Sequence, residues 1–129
     1  MKIRKGGVIV LRIVAAIIML QTLYFKFTGA PESIYIFSTI GMEPWGRYMV
    51  GSMELVASVL LLIPKIYWLG GLLGMGLMAG ALFFHFAFLG IEVQGDGGLL
   101  FAYAVIVFLA SLVTVLDRKN DIPILKNLL

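Results

Sequence analysis

Three ionisable side chains sit inside segments that otherwise avoid charge. Lys26 lies in LYFKFTG, framed by Tyr24, Phe25 and Phe27. Glu54 lies in VGSMEL, and His85, the only histidine in 129 residues, lies in ALFFHFAFLG. An ammonium, a carboxylate and an imidazole brought together could hold the polar end of an amphipathic molecule, or relay a proton as the carboxyl group changes state. Gln21, Tyr24 and Ser52 are polar neighbours able to join such a ligand-binding centre, and Asp96 in QGDGG could line its mouth. The chain has no cysteine, which removes disulfides, thiol chemistry and cysteine metal ligands. One histidine cannot supply two axial haem ligands, and no metal site is expected.

The elements that must position these residues are set by the solvent, and composition says which solvent. Hydrophobic residues make up 61% of the chain and charged residues 13%, too little polar surface to cover a soluble domain of this size. The length suits a single domain over residues 1–129. A net charge of +3 is the sign nucleic acid would require, but the basic residues fall at segment ends instead of forming a patch, so no nucleic-acid partner is expected.

Four segments, at about 8–27, 45–63, 66–91 and 97–116, approach or exceed the roughly 20 apolar residues that cross a bilayer. None alternates polar and apolar residues as a barrel strand would, and unpaired backbone in hydrocarbon is too costly for irregular structure. The predicted fold is therefore all-α, a bundle of four transmembrane helices with an outer loop over 28–44. The first segment has the basic start and apolar middle of a cleaved leader. Arg12 interrupts it, and apolar character continues through Leu23, Tyr24 and Phe25, so a retained spanning helix is the better reading.

Lys and Arg orient the bundle. With the amino terminus cytoplasmic, Lys2, Arg4, Lys5, Lys65, Arg118, Lys119 and Lys126 fall inside with Arg12 close by, while only Arg47 and, near the boundary, Lys26 fall outside, together with Glu32, Glu43, Glu92 and Asp96. Both termini are then cytoplasmic. Glu43-Pro44-Trp45 opens the second helix, with proline where no amide donor is needed and tryptophan at the interface. PESIYIFSTIGMEPW is too apolar for a free loop, and an amphipathic segment lying on or folding over the outer end is expected. The third helix carries two small-xxx-small pairs, Gly70/Gly74 and Gly76/Gly80, which suit close packing within the bundle or, alternatively, a homo-oligomer.

Depth brings the ionisable residues together. The first and third helices run outward and end near Lys26 and His85; the second runs inward, placing Glu54 about 13 Å below its outer start at 1.5 Å per residue. Helical side chains lean toward their own amino terminus, so Lys26 and His85 lean inward and Glu54 outward. An isolated charge at mid-bilayer costs about 2.5–3.5 kcal/mol, so Glu54 must be neutral, paired or hydrated, and a hydrogen bond to Lys26 or His85 is expected. Each residue also has a structural reading: snorkelling for Lys26, packing for His85, helix register for Glu54, and a turn for Asp96. Arg12 is expected to meet inner-leaflet phosphates or Asp117. YFKF and FFHF, both on outward-running helices, hint at a duplicated two-helix unit, though the match is only four aromatic-rich residues.

At these residues the chain resembles the DoxX family of small four-helix membrane proteins, over about 8–118. The resemblance rests on KFTG at the end of the first helix, the proline-containing outer loop, VGSMEL in the second helix, and the third helix ending in a histidine. It implies a multi-pass protein of a bacterial or archaeal cytoplasmic membrane, with Lys26, Glu54 and His85 as the family's polar centre. Some relatives are described as subunits of thiosulfate:quinone oxidoreductase or as partners in oxidative-stress complexes. The resulting expectation is a pocket that binds a quinone or similar amphipathic molecule in a membrane redox system. There His85 would hydrogen-bond one carbonyl, Glu54 would relay a proton, and a redox or extracytoplasmic partner protein would supply electrons. Passage of a small solute or proton, and a scaffold acting through the 28–44 loop, are the alternatives.

Overall fold

The computed structural model describes residues 5–118, and all regular structure among them is helical. Helix α1 spans Lys5–Thr28, α2 Pro31–Thr39, α3 Trp45–Leu61, α4 Tyr67–Phe84 and α5 Leu99–Asp117. A π-helical turn, His85–Leu89, continues α4. Lys2, Arg4, Lys119 and Lys126, which help set the predicted orientation, lie outside the described residues, as does the rest of the tail beyond Arg118.

Three helices are long and apolar enough to cross a membrane: α1, α4 with its π turn (Tyr67–Leu89), and α5. Their outward faces are apolar, with Ile9, Val10, Ile13 and Ile17 of α1 and Ile106 and Leu109 of α5 all exposed. A soluble protein hides such faces, whereas a bilayer is their natural solvent. The interior is correspondingly built from small and flexible residues. Ala15, Met19, Ala57, Leu61, Met78, Ala104, Val107 and Ala110 form one buried cluster that closes the middle of the bundle.

The four long helices make a ring: α1 packs on α3 and α5, and α4 packs on the same two from the other side. Glycines permit the close approaches. A Cβ on Gly70 would stand 2.6 Å from the Leu61 amide nitrogen and 2.9 Å from the Ala57 carbonyl oxygen of α3. One on Gly71 would stand 3.0 Å from the Ser111 carbonyl oxygen of α5. The Gly70/Gly74 pair is thus consumed within the chain, whereas a Cβ on Gly76 or Gly80 would meet nothing within 4 Å.

Arg12 differs from expectation. It is buried, its Nε donates to the Leu61 carbonyl oxygen at 2.7 Å, and its guanidinium lies 4.2 Å over the Tyr67 ring. The Tyr67 hydroxyl in turn donates to Asp117. A cation at the carboxyl end of α3 satisfies an orphan carbonyl and opposes the helix dipole, which the interior rewards more than lipid phosphate would. At the same end, Arg118 donates to the Pro64 and Lys65 carbonyls, tying α5 to the α3–α4 turn.

The 28–44 segment folds over the opposite end. Gly29, at φ +71°, ends α1 in the left-handed conformation that glycine adopts most readily, and the Ala30 amide donates back to the Phe25 carbonyl. Pro31 then starts α2, whose Ser33 and Phe37, one turn apart, turn inward and are buried. Helix α2 touches α1, α3 and the π turn, and so lies across the bundle end. Arg47 secures it from below, donating to Glu43 through Nε and Nη2 (3.0 and 2.8 Å) and to the Lys26 carbonyl through Nη1. Pro44 is the cap residue and Trp45 the first residue of α3, matching the predicted start of the 45–63 segment.

Candidate functional site

Beneath α2 the ring is not filled. A cavity of about 650 Å³ opens between the helices, lined mostly by aliphatic, methionine and aromatic side chains. Lys26, Glu54 and His85 all line it, so three residues from three helices share one space. Gln21 and Asp96 also line it.

Glu54 is 3% exposed, and Lys26 Nζ stands 2.8 Å from its Oε1. The contact is a close ion pair, and Lys26 Nζ also donates to Thr22 Oγ1 at 3.1 Å. The pair offsets the cost of burying two charges and leaves one carboxylate oxygen able to accept a further proton donor from the cavity. Lys26 is held from both directions, since Thr22 lies one turn back on α1 and Arg47 grips the Lys26 carbonyl.

His85 opens the π turn, which the Gly90 amide closes by donating to the His85 carbonyl at 2.7 Å. Its Nδ1 lies 2.9 Å from the Gly90 carbonyl oxygen, and its ring meets Phe101 edge-on at 5.5 Å. A carbonyl can only accept, so Nδ1 is the donor in this contact and carries a proton. The expected hydrogen bond from His85 to a ligand would be made by Nε2, since Nδ1 is engaged by the Gly90 carbonyl. Such π turns recur at functional sites because they rotate one side chain away from the regular helical spacing.

Tyr24 and Ser52 do not line the cavity. Tyr24 is 69% exposed, and Ser52 is exposed with its hydroxyl donating to the Tyr48 carbonyl. Each is two residues from a cavity residue, which is about 200° around a helix, on the opposite face. The residues passed over by the sequence reading follow the same rule in reverse. Thr22 is four residues before Lys26 and shares its face; Ser33 and Tyr103 also line the cavity.

Asp96 lines the cavity but its oxygens are engaged. Oδ1 accepts from the Val93 and Gly98 amides at 3.0 and 2.8 Å, and Oδ2 from Leu100 at 3.1 Å, a free donor in the first turn of α5. Burial pushes its carboxyl group up, but the three amides together outweigh that and hold it below the ordinary aspartate value. Its role here is to shape the loop and start α5.

The surroundings of YFKF and FFHF differ, since Lys26 lies in regular α-helix and His85 begins the π turn. The DoxX family model matches residues 7–87, a span that contains Lys26, Glu54 and His85 and stops before α5. No curated protein and no solved structure matches the chain.

Proposed function

The chain belongs to the DoxX family, and from that premise we propose that it binds an amphipathic small molecule in the cavity beneath α2. A quinol or quinone of a membrane redox system is the class that fits best. The observation that carries this is the buried Glu54 carboxylate, ion-paired to Lys26 through Oε1, on the wall of an otherwise apolar space. Pockets for small molecules have this character, a few convergent polar groups in an apolar lining of about 300–1,000 Å³.

The donor and acceptor set favours the reduced form. The Glu54 carboxylate accepts, and His85 Nε2 accepts whenever the ring carries its single proton on Nδ1, matching the two hydroxyls of a hydroquinone, while apolar walls suit its ring and tail. Such a group supplies two-electron, two-proton chemistry when bound. Glu54 and His85 would hold the protons at its two ends, Lys26 would keep Glu54 charged, and α2 would exclude water. No electron carrier is built into these residues, so a partner redox protein completes the system. Passage of a solute or proton is less favoured, because Met19, Ala57, Leu61 and Val107 close the bundle below the cavity.

We also read α3 as a fourth crossing. Its 17 residues reach the lower limit for spanning, and Leu55, Val56 and Val59 present an apolar face to lipid. Lys65 and Arg118 then lie at one end of the bundle, the cytoplasmic side by their charge, with both termini there.

The test is to reconstitute the protein in lipid nanodiscs and titrate it with decylubiquinol. Replacing Glu54 by Gln should weaken binding at least tenfold, since a buried hydrogen bond to a charged group contributes about 1.5–3 kcal/mol. Equal binding by wild type and Glu54→Gln refutes the assignment.

A further inference from the structure

We propose that the cavity is loaded sideways from the bilayer, through a window between α3 and α4 framed by Met49, Met53, Gly76 and Gly80. The ligand is therefore one dissolved in the membrane. The proposal rests on the ligand-binding reading above and adds the route and the phase from which the ligand comes.

Two helices that touch at one height part at another. At the lower contact, Gly70 of α4 sits on Ala57, Leu60 and Leu61 of α3, too closely for a side chain. Toward the α2 end, the flank of α4 that faces α3 continues through Leu73, Leu77, Gly80 and Phe84, at alternating steps of three and four residues. The matching flank of α3 runs from Ala57 back through Met53 to Met49. With a rise of 1.5 Å per residue, Gly76 is about 9 Å above the Gly70 contact and comes level with Met53 and Glu54; Gly80 comes level with Met49.

Here the seam is open. Met49, Met53, Gly76 and Gly80 all line the cavity, yet Met49 is 44% exposed, Met53 is 37% exposed and Gly76 is exposed at the bundle surface. A Cβ at Gly76 or Gly80 would meet nothing within 4 Å, so no α3 side chain covers them. A residue that both lines a cavity and faces the surroundings marks an opening where it has no side chain to fill the gap, and at this height the surroundings are lipid. Phe25 and Leu99 also line the cavity and are each 49% exposed, but they carry large side chains where α4 has only glycine, and helix α2 lies over the end, burying Ser33 and Phe37. Methionine suits the rim, because its unbranched side chain moves aside at little cost.

The absence of native cysteine allows a direct test that does not depend on the identity of the ligand. Ala81 lines the cavity, so Ala81→Cys places one thiol inside it. In nanodiscs this thiol should react with N-(1-pyrenyl)maleimide, which partitions into lipid, at least tenfold faster than with a maleimide carrying a fixed cationic charge and offered from water. Adding Gly80→Trp should slow the pyrene reagent at least tenfold; Gly76→Leu is a second, smaller plug. Adding Leu99→Trp on the other flank should change the rate less than twofold. The proposal is overturned if both plugs leave the rate within twofold, if Leu99→Trp alone slows it, or if the charged reagent keeps pace. Slowed labelling together with no decylubiquinol binding by the wild type keeps the membrane route and removes the quinol reading.

Discussion

Removing one partner of the Lys26–Glu54 pair should expose an asymmetry that the two side chains' burial dictates. The Glu54 side chain is 4% exposed and that of Lys26 16%, so the two charges do not lose water equally. In Lys26→Met the carboxylate stays buried without its counter-charge. Breaking a buried pair this way costs about 3–5 kcal/mol. Proton uptake limits the damage: at about 1.4 kcal/mol per pH unit, neutralising an ordinary glutamate at pH 7 costs roughly 3.7 kcal/mol. The expected loss is therefore about 3–4 kcal/mol. In Glu54→Gln the remaining ammonium still has Thr22 Oγ1 at 3.1 Å and a flexible stem near the end of α1, and so can reach water. That variant should lose about 1–2 kcal/mol. The double variant should lose less than Lys26→Met alone, since no charge is then left unpaired. Reversible unfolding in mixed micelles, followed by helical circular dichroism, measures all three. If Lys26→Met loses less than about 1 kcal/mol, or Glu54→Gln loses more than Lys26→Met, the carboxylate is not the more deeply buried charge and the proposed site loses its foundation.

Two further outcomes follow from the glycines and the α5 loop. Gly70→Ala should destabilise by about 1–3 kcal/mol, because its Cβ would meet α3 backbone that cannot move aside, whereas Gly76→Ala should be neutral or stabilise by up to about 1 kcal/mol; thermal unfolding of both variants compares them. Asp96→Ala should cost about 1 kcal/mol by freeing three amides at the start of α5. Because the folded-state pKa of Asp96 is lowered, its contribution is fully present above the unfolded value of about 3.9 and fades as pH falls through the lower folded value. Wild type and Asp96→Ala should therefore differ at pH 6 and converge in strong acid, and a gap that widens on acidification contradicts the loop geometry.

Spanning segments, and the depth at which ionisable residues sit, could be read in the sequence because helix rise is constant and depth is linear in residue number. The predicted stretches at 8–27, 66–91 and 97–116 accordingly lie within a few residues of Lys5–Thr28, Tyr67–Leu89 and Leu99–Asp117. The inward turn of α2 was likewise announced by apolar residues too numerous for a free loop. Rotation about the helix axis was only partly legible: a two-residue step places Tyr24 and Ser52 opposite Lys26 and Glu54, a rule available from the helical period alone.

Other features depended on contacts between distant segments, which no local pattern carries. Arg12, expected at inner-leaflet phosphates or Asp117, instead meets the carbonyl of Leu61, 49 residues away, and the ring of Tyr67. The proton position on His85 depends on the π turn that brings the Gly90 carbonyl to Nδ1. The two glycine pairs are equivalent as a motif, yet Gly70/Gly74 are filled by neighbouring helices and Gly76/Gly80 stand open. Sequence determined which residues could enter the membrane and how deep; tertiary structure decided which of them face one another, because helix rotation and splay are set by packing across the bundle.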